Sequence, residues 1–326
     1  MKNNETVVKL MHEKGIPRRN SSRFFSVSPE MRTNCLREKT SIFCPSSLKL
    51  VSFIVFLIST TILAGCRNSE PVKAQLISEL KSIQPGQTFC VALRLEMAKH
   101  WHTYWKNPGD SGMPTKIEWN LPEGFRAGEI QWPYPQKIEI PQVVSFGYEG
   151  EVFLLTEIKA PISVEPDFTV EISAGVDWLA CKEICVPGHA DLMMRLPVKG
   201  EKPEPDKRWV RRLTATRRNM PKKFSDWEIN ASAKNGQIFI HIIPPQWFKK
   251  ELEDISFFPE QEGIIDLLGK RHFQSSKDEY VIELQKSLFA EKLPQRLQGV
   301  LISKHGWSQF GKEKALTFDV SVHRQE

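Results

Sequence analysis

Short apolar segments with a strand-type composition recur along most of this chain, and long helical periods are few. The segments span residues 87–95, 151–158, 168–173, 237–243, 279–284 and 297–302. Stretches rich in Pro, Gly, Asn and Asp separate them, such as 107–112 and 132–135. Short strands at this spacing are typical of β-sandwiches, and 326 residues are enough for two domains. The sequence therefore predicts an all-β protein with two β-sandwich domains.

A change of composition marks the predicted boundary between the two domains. Residues 202–223 hold nine basic residues against Glu204 and Asp206, and two prolines near the start break regular structure. We interpret residues 201–224 as a linker between a domain at 66–200 and a second domain at 225–326.

Three apolar residues of this linker, Trp209, Leu213 and Met220, have a spacing that places them on one side of a short basic helix. The simplest interpretation is a linker with a solvated cationic face. The alternative is contact with anionic lipid or with a partner protein.

The N-terminal region has the pattern of an export signal. Leu50–Gly65 is an uncharged run of sixteen residues preceded by Lys49, too short for a spanning helix and suited to a signal peptide. The residues Leu63-Ala64-Gly65-Cys66 match a bacterial lipobox, which predicts a lipid on Cys66 and removal of residues 1–65. An uncleaved signal anchor is the alternative. Met31 is a plausible true start, and we expect residues 1–65 to be disordered or removed.

The net charge of +6 belongs to this leader. Residues 1–65 carry ten Lys/Arg and four Asp/Glu, a difference of +6, which leaves 35 basic and 35 acidic residues from Cys66 onward. A balanced body has no electrostatic footprint for a polyanion, so the sequence argues against nucleic-acid binding.

The cysteines fall into distinct classes. Four are assigned to the leader, the lipid anchor or an inert strand thiol: Cys35, Cys44, Cys66 and Cys90. Cys181 and Cys185 remain, in the motif C-x3-C. A bridge between them closes a loop so small that it stabilises the fold by only about 2 kcal/mol. We therefore favour a redox-active pair, which export makes possible, over a purely structural bridge.

Metal binding is the other alternative for this pair. Cys181, Cys185 and His189 form C-x3-C-x3-H, a ligand set that copper(I) or zinc accepts. The neighbourhood lacks the βαβ alternation of thioredoxin-like copper chaperones, and we expect Pro187-Gly188 to turn the chain after Cys185. His100 and His102 would share one side of a strand, where we favour a structural role. We predict no bound cofactor or metal.

Three motifs resemble the N-terminal periplasmic domain of DsbD-type thiol:disulfide interchange proteins. They are HWHTYWKNPGDSG at 100–112, FGYEGE at 146–151 and WLACKEICVPG at 178–188. The resemblance is closest to the ScsB-like branch, associated with copper-sensitivity suppression, and covers about residues 72–200. It extends more weakly to 225–326 through Phe257-Phe258-Pro259 and residues 297–301.

The resemblance implies an immunoglobulin-like domain whose cysteine pair relays electrons. A membrane-embedded thiol reductase would reduce the pair, and periplasmic thioredoxin-like proteins would receive the electrons. Cys185 would attack the partner disulfide and Cys181 would resolve the mixed disulfide. Phe146, with Gly147 and Tyr148, would form a cap that shields the pair until a partner docks.

Family members carry this domain fused to transmembrane helices and often to a C-terminal thioredoxin domain, whereas this chain ends at Glu326 without either. We therefore expect the reductase to be a separate chain. A lipid on Cys66 would hold the protein at the inner or outer membrane, facing the periplasm and close to that donor. The alternative functions are a copper(I)-handling lipoprotein that uses the same cysteines, and a structural protein in which the bridge merely closes a loop.

Overall fold

The structure is a computed structural model that describes residues 70–325 except 254 and 277. The predicted leader, signal peptide and lipidated Cys66 lie outside the described residues. Among the described residues, no helix has the length and hydropathy needed to cross a membrane.

Ten strands build the first domain. They are β1 Val72–Ser78, β2 Thr88–Met97, β3 His102–Gly109, β4 Lys116–Asn120, β5 Arg126–Gln131, β6 Gln136–Ile140, β7 Val143–Glu149, β8 Glu151–Lys159, β9 Thr169–Cys181 and β10 Cys185–Pro197. One sheet has the order β1-β2-β8-β5, and the other has the order β10-β9-β3-β7-β6 with β4 also paired to β9.

The alternation of buried and exposed side chains explains why these strands form a sandwich. Along β9 the even-numbered residues from Val170 to Ala180 are buried, while Thr169, Glu171 and Asp177 are exposed. Side chains on a strand point alternately to its two faces. One face of the sheet therefore lines the apolar core, and the other face is directed outward.

The predicted basic helix is present as α1, Val210–Arg218. Leu213 is fully buried, and Trp209 and Met220 pack on the same small cluster, which confirms the predicted apolar side. The cluster also contains Ile77 of β1, Ala92 of β2, and Phe153 and Leu155 of β8. Their neighbours Leu76, Val91 and Leu154 belong to the main core, so α1 covers the outer face of the four-stranded sheet. Burial of Leu213 contributes about 2 kcal/mol to this attachment.

The second domain contains β11 Glu228–Lys234, β12 Gln237–Ile243, β13 Ser256–Pro259, β14 His272–Ser275, β15 Tyr280–Gln285, β16 Arg296–Ile302 and β17 Ala315–Arg324. Their order is β13-β16-β17-β11-β12-β15-β14. β17 changes partner along its length: Ala315–Ser321 pair with β16 and Val322–Arg324 with β11. The predicted all-β architecture with immunoglobulin-like β-sandwiches is confirmed.

An aromatic contact joins the two domains. Phe258 of β13 lies 4.9 Å from Phe146 of β7 and 6.4 Å from Trp105 of β3, measured between ring centroids. The Asn107 side-chain amide donates to the carbonyl oxygens of Pro259, at 2.7 Å, and Gln261, at 3.1 Å. The contact thus combines apolar packing with buried hydrogen bonds.

Candidate functional site

The two cysteines lie at the tip of the hairpin formed by β9 and β10. Cys181 is the last residue of β9, Cys185 is the first of β10, and the two are paired in register. Their sulfur atoms are bonded at 2.02 Å, and the Cα atoms lie 4.1 Å apart. Thirteen consecutive pairs, from Cys181 and Cys185 to Thr169 and Pro197, hold the hairpin together. The disulfide therefore joins the ends of two strands that are regularly paired along their whole length.

Pro187 and Gly188 do not turn the chain, contrary to the sequence-based expectation. Both lie within β10, paired with Leu179 and Trp178. A Cβ atom on Gly188 would come within 2.3 Å of the Trp178 ring. Glycine is therefore needed for the close approach of this tryptophan and marks a packing contact within the hairpin.

The two cysteine residues differ in their exposure to solvent. Cys181 is 2% exposed, whereas Cys185 is exposed and follows Ile184, which is 68% exposed. A thiolate of another protein can attack a disulfide only at a sulfur atom that is accessible from outside. Cys185 is therefore the more accessible member of the pair, and Cys181 is the buried one.

Tyr104 and His102 lie beside the disulfide, on the neighbouring strand β3. The Tyr104 hydroxyl lies 3.9 Å from Cys185 Sγ and 3.3 Å from His102 Nε2. His102 also pairs in register with Cys181. Burial lowers the pKa of His102, an effect that the charge of Glu149 opposes, and burial raises the pKa of Tyr104. At neutral pH both side chains are therefore uncharged hydrogen-bonding groups.

Gly112 fixes the position of the Tyr104 ring. It has a φ of +123°, and a Cβ atom there would lie 2.2 Å from the ring. Any side chain at this position would displace Tyr104 from Cys185. The sequence analysis assigned no role to Tyr104, although its two-residue offset from His102 predicts a shared strand face.

The proposed cap residues lie on β7, and the register shows where their side chains point. Glu149 pairs with His102, which pairs with Cys181, so these three share one face of the sheet. Tyr148 and Phe146 are one and three residues from Glu149 and therefore belong to the opposite face. Phe146 is 0% exposed and contacts Trp105 and Phe258. The ring that contacts the disulfide is that of Tyr104, and the cap role of Phe146 stays a prediction.

Gly147 and Tyr148 pack closely within the domain. A Cβ atom on Gly147 would lie 2.1 Å from the Thr103 carbonyl oxygen. The Tyr148 hydroxyl donates to the carbonyl oxygen of Pro133 at 2.7 Å. These contacts hold the end of β7 against β3 and the neighbouring loop.

The other candidate ligands are separated from the cysteine pair. His189 Nδ1 lies 2.8 Å from Asp177 and Nε2 lies 3.5 Å from Asp191, contacts that raise the pKa of this histidine, with the Asp177 hydrogen bond as the largest cause. His100 precedes β3 in a left-handed turn, so it does not share a strand with His102. Within the described part of the chain, no group of three His, Cys, Asp or Glu side chains could hold a metal ion.

Cys90 matches the predicted inert thiol. It packs beside the cluster under α1, and burial raises its thiol pKa to about 11. Only the thiolate is a good nucleophile, so this cysteine is unreactive at neutral pH.

Comparison with known families identifies the domain that carries this site. Residues 70–197 match the family described as thiol:disulfide interchange protein DsbD, N-terminal. Residues 70–197 form a DsbD-type N-terminal domain. The match includes both cysteines, Tyr104 and Phe146, and it ends where β10 ends.

Solved structures extend the likeness in fold beyond the DsbD-type domain. The N-terminal periplasmic domain of ScsB from Proteus mirabilis is 14% identical, with a TM-score of 0.57, covering 79% of this chain and 96% of that one. Two further structures are the periplasmic chaperone SfaE (8% identity, TM-score 0.20, covering 78% of this chain and 100% of that one) and the sporulation control protein Spo0M from Bacillus subtilis (10% identity, TM-score 0.21, covering 77% and 90%). Both superpose too poorly on this chain to bear on its fold or function. None of the curated proteins compared with the chain matches it.

Proposed function

We propose that this protein is a lipid-anchored, periplasm-facing thiol:disulfide interchange module. It relays electrons from a membrane-embedded thiol reductase on a separate chain to thioredoxin-like partners through Cys181 and Cys185. The observation that supports this most directly is the asymmetric disulfide, with an exposed Cys185 bonded to a buried Cys181 at a hairpin tip.

The first half of the relay reduces the pair. A thiolate of the donor attacks the sulfur of Cys185, the bond to Cys181 breaks, and Cys181 leaves with the electron pair as a thiolate. A second donor thiolate then attacks the donor sulfur of the mixed disulfide, which releases Cys185 as a thiolate. The donor ends as a disulfide, and two electrons have entered the domain.

The second half returns the pair to its oxidised state. The Cys185 thiolate attacks the disulfide of a thioredoxin-like partner and releases one partner thiolate. Cys181 then attacks Cys185, restores the bond between them and releases the second partner thiolate. The partner leaves as a dithiol, and Cys181 acts only within the domain, as its burial requires.

Tyr104 and His102 are placed to stabilise the nucleophile. A Tyr104 hydroxyl that donates to the Cys185 thiolate needs another donor for its own oxygen. The Nε2–H tautomer of His102, at 3.3 Å, supplies that donor. A hydrogen bond to the charged form of an acid lowers its pKa. The hydrogen bonds from His102 to Tyr104 and from Tyr104 to Cys185 therefore favour the Cys185 thiolate.

An exposed apolar side chain at the hairpin tip supports docking of a partner protein. Ile184 is exposed directly beside Cys185, where a visiting protein must bring its own cysteine. A lipid on Cys66 would hold the domain near a membrane donor and raise the effective concentration of each for the other. The family likeness supports the proposed partners, and the lipobox supports the proposed anchor.

The proposal predicts which cysteine traps a partner. Cys181→Ala leaves Cys185 able to attack but removes the resolving thiol, so we expect a mixed disulfide that persists on non-reducing gels. Cys185→Ala removes the exposed nucleophile and should trap at least tenfold less. Trapping through Cys181 in the Cys185→Ala variant would overturn the assigned roles.

A measured reduction potential and a metal titration separate the alternatives. A potential between about −120 and −270 mV is expected for a relay, whereas a value below about −300 mV indicates a structural bridge. Stoichiometric copper(I) uptake by the reduced protein, abolished in Cys181→Ala, would favour a metal-handling function instead.

A further inference from the structure

One side of α1 carries exposed cations with no acidic partner. Arg211 and Arg218 are seven residues apart, so they lie on the same side of the helix. Thr214 and Ala215, between them on that side, are also exposed. Lys207 is exposed in the turn that precedes the helix. We refer to Lys207, Arg211 and Arg218 as the basic face.

The other arginines of this segment are paired with carboxylates. Arg208 pairs with Asp206 at 2.6 Å, Arg212 with Glu151 at 3.2 Å, and Arg217 with Glu79 at 2.6 Å. No such ion pair involves the basic face within the described part of the chain. The first turn of α1 also lacks an acidic residue, although Arg211 faces an unfavourable helix dipole there. Arg211 therefore does not stabilise the helix, whereas Arg218 lies in the last turn, where the dipole favours a cation.

The charge of the basic face contrasts with the rest of the protein. From Cys66 onward the chain holds 35 basic and 35 acidic residues, yet residues 202–223 hold nine basic residues and two acidic ones. A local surplus of this kind attracts a polyanionic surface.

The start of β1 lies close to α1. Lys73 pairs with Glu96, Glu96 pairs with Glu151, and Glu151 binds Arg212 of the helix. Neighbouring strands are about 4.8 Å apart, so Lys73 and Glu151 are separated by about 10 Å. The six residue-to-residue steps from Cys66 to Val72 can span at most about 20 Å. A bilayer that holds a lipid on Cys66 is therefore within reach of the basic face.

We propose that the basic face of α1 docks on anionic lipid headgroups of the membrane that carries the Cys66 anchor. This inference rests on the lipid anchor of the proposed function. One lipid chain combined with a cationic surface is the usual two-part means of stable attachment to a membrane.

Docking would also orient the redox site. α1 covers the outer face of the four-stranded sheet, whereas Cys181 and Cys185 belong to the outward face of the other sheet. The two faces lie on opposite sides of the sandwich. A domain resting on α1 therefore presents Cys185 toward soluble acceptors and must leave the bilayer surface to meet a membrane donor.

The test uses the full chain, purified with its lipid and reconstituted into vesicles. An environment-sensitive fluorophore is attached at Ala215→Cys, with nitroxide-labelled lipid as the quencher. We expect quenching in vesicles with phosphatidylglycerol and not in vesicles of phosphatidylcholine alone, and we expect 0.5 M NaCl to reverse it. Arg211→Gln with Arg218→Gln should weaken docking about 30-fold, because each cation lost near an anionic surface weakens binding about fivefold. Lys249→Gln with Lys250→Gln, which removes two exposed charges from the second domain, is the matched control and should change nothing.

Three outcomes would overturn the proposal: no quenching with anionic lipid, equal quenching in both vesicle types, or equal loss in the control variant. Crosslinking from residue 215 to an acidic protein, without quenching, would also overturn it in favour of a protein partner. Palmitate incorporation tests the anchor separately. Labelled Cys66 without quenching refutes docking alone, and quenching of a chain that lacks palmitate supports docking while refuting the anchor.

Discussion

Tyr104 contributes a single hydroxyl group to the surroundings of Cys185, and Tyr104→Phe removes that group while keeping the ring. In the Cys181→Ala background we expect the pKa of Cys185 to rise, because the charged thiolate loses one hydrogen bond. The pH dependence of iodoacetamide alkylation measures this pKa. An unchanged profile would show that Tyr104 does not stabilise the thiolate.

Shielding of the pair separates the roles of Tyr104 and Phe146. Tyr104 contacts Cys185, whereas Phe146 lies on the opposite face of the sheet. We therefore expect Tyr104→Ala to accelerate oxidation of the reduced pair by small oxidants several-fold more than Phe146→Ala. Stopped-flow oxidation of matched samples makes the comparison. A larger acceleration in Phe146→Ala would support the predicted cap.

The sequence singled out individual residues, but it could not predict which face of a strand their side chains occupy. Cys181 and Cys185 stand out because their spacing is unusual, and Cys90 because it lies in a strand pattern. The face to which Phe146 points depends on its offset from Glu149 and on how β7 pairs with β3. The register between β3 and β7 also shifts between Tyr104 and Gly109. The local sequence pattern of a strand does not predict how it pairs with its neighbour.

At the scale of strands, Gly147 controls how closely β7 approaches β3. A side chain at this position would meet the Thr103 carbonyl oxygen, which belongs to a rigid backbone. We expect Gly147→Ala to lower the free energy of unfolding by at least about 2 kcal/mol, because one of the paired strands must move. Urea denaturation measures the loss. Gly150→Ala is the control for replacing a nearby glycine, since an added Cβ atom meets nothing within 4 Å, although its φ of +72° has its own cost. Equal losses would show that the approach to Thr103 is unimportant.

Strand positions were predictable where composition and length agreed. The segments 87–95 and 151–158 correspond closely to β2 and β8. β9 and β10 were harder, because only residues 168–173 have a clear strand pattern and the following Gly, Asp and Pro residues favour turns. Their tertiary partners outweigh that preference: Gly188 provides room for Trp178, and long pairing compensates for Pro187.

For the whole molecule, Asn107 is the most specific link between the domains. Asn107→Ala removes donors from the carbonyl oxygens of Pro259 and Gln261 and an acceptor from the Gly109 amide. We expect a loss of about 2 to 3 kcal/mol and faster tryptic cleavage within residues 201–224. Lys106→Gln breaks the half-buried pair with Glu260 and should cost less than about 1 kcal/mol. Similar effects of both variants would contradict a special role for Asn107.

The sequence predicts a division into two domains, and that division stays a prediction, but the sequence does not predict the contact between the two parts. The Pro-rich, basic stretch at 202–223 marks a boundary by composition alone. Trp105, Phe146 and Phe258 lie in separate motifs, and nothing in their spacing predicts that the three rings meet. Aromatic residues so far apart in the sequence cannot be distinguished from ordinary core residues before the fold is known.

The Phe146 contact with the second domain and the disulfide lie on opposite faces of one sheet. A partner protein could therefore form and break a disulfide with Cys185 without disturbing the packing of Phe146 on the opposite face. Exchange at the hairpin tip would then proceed with the contact between Phe146 and Phe258 intact.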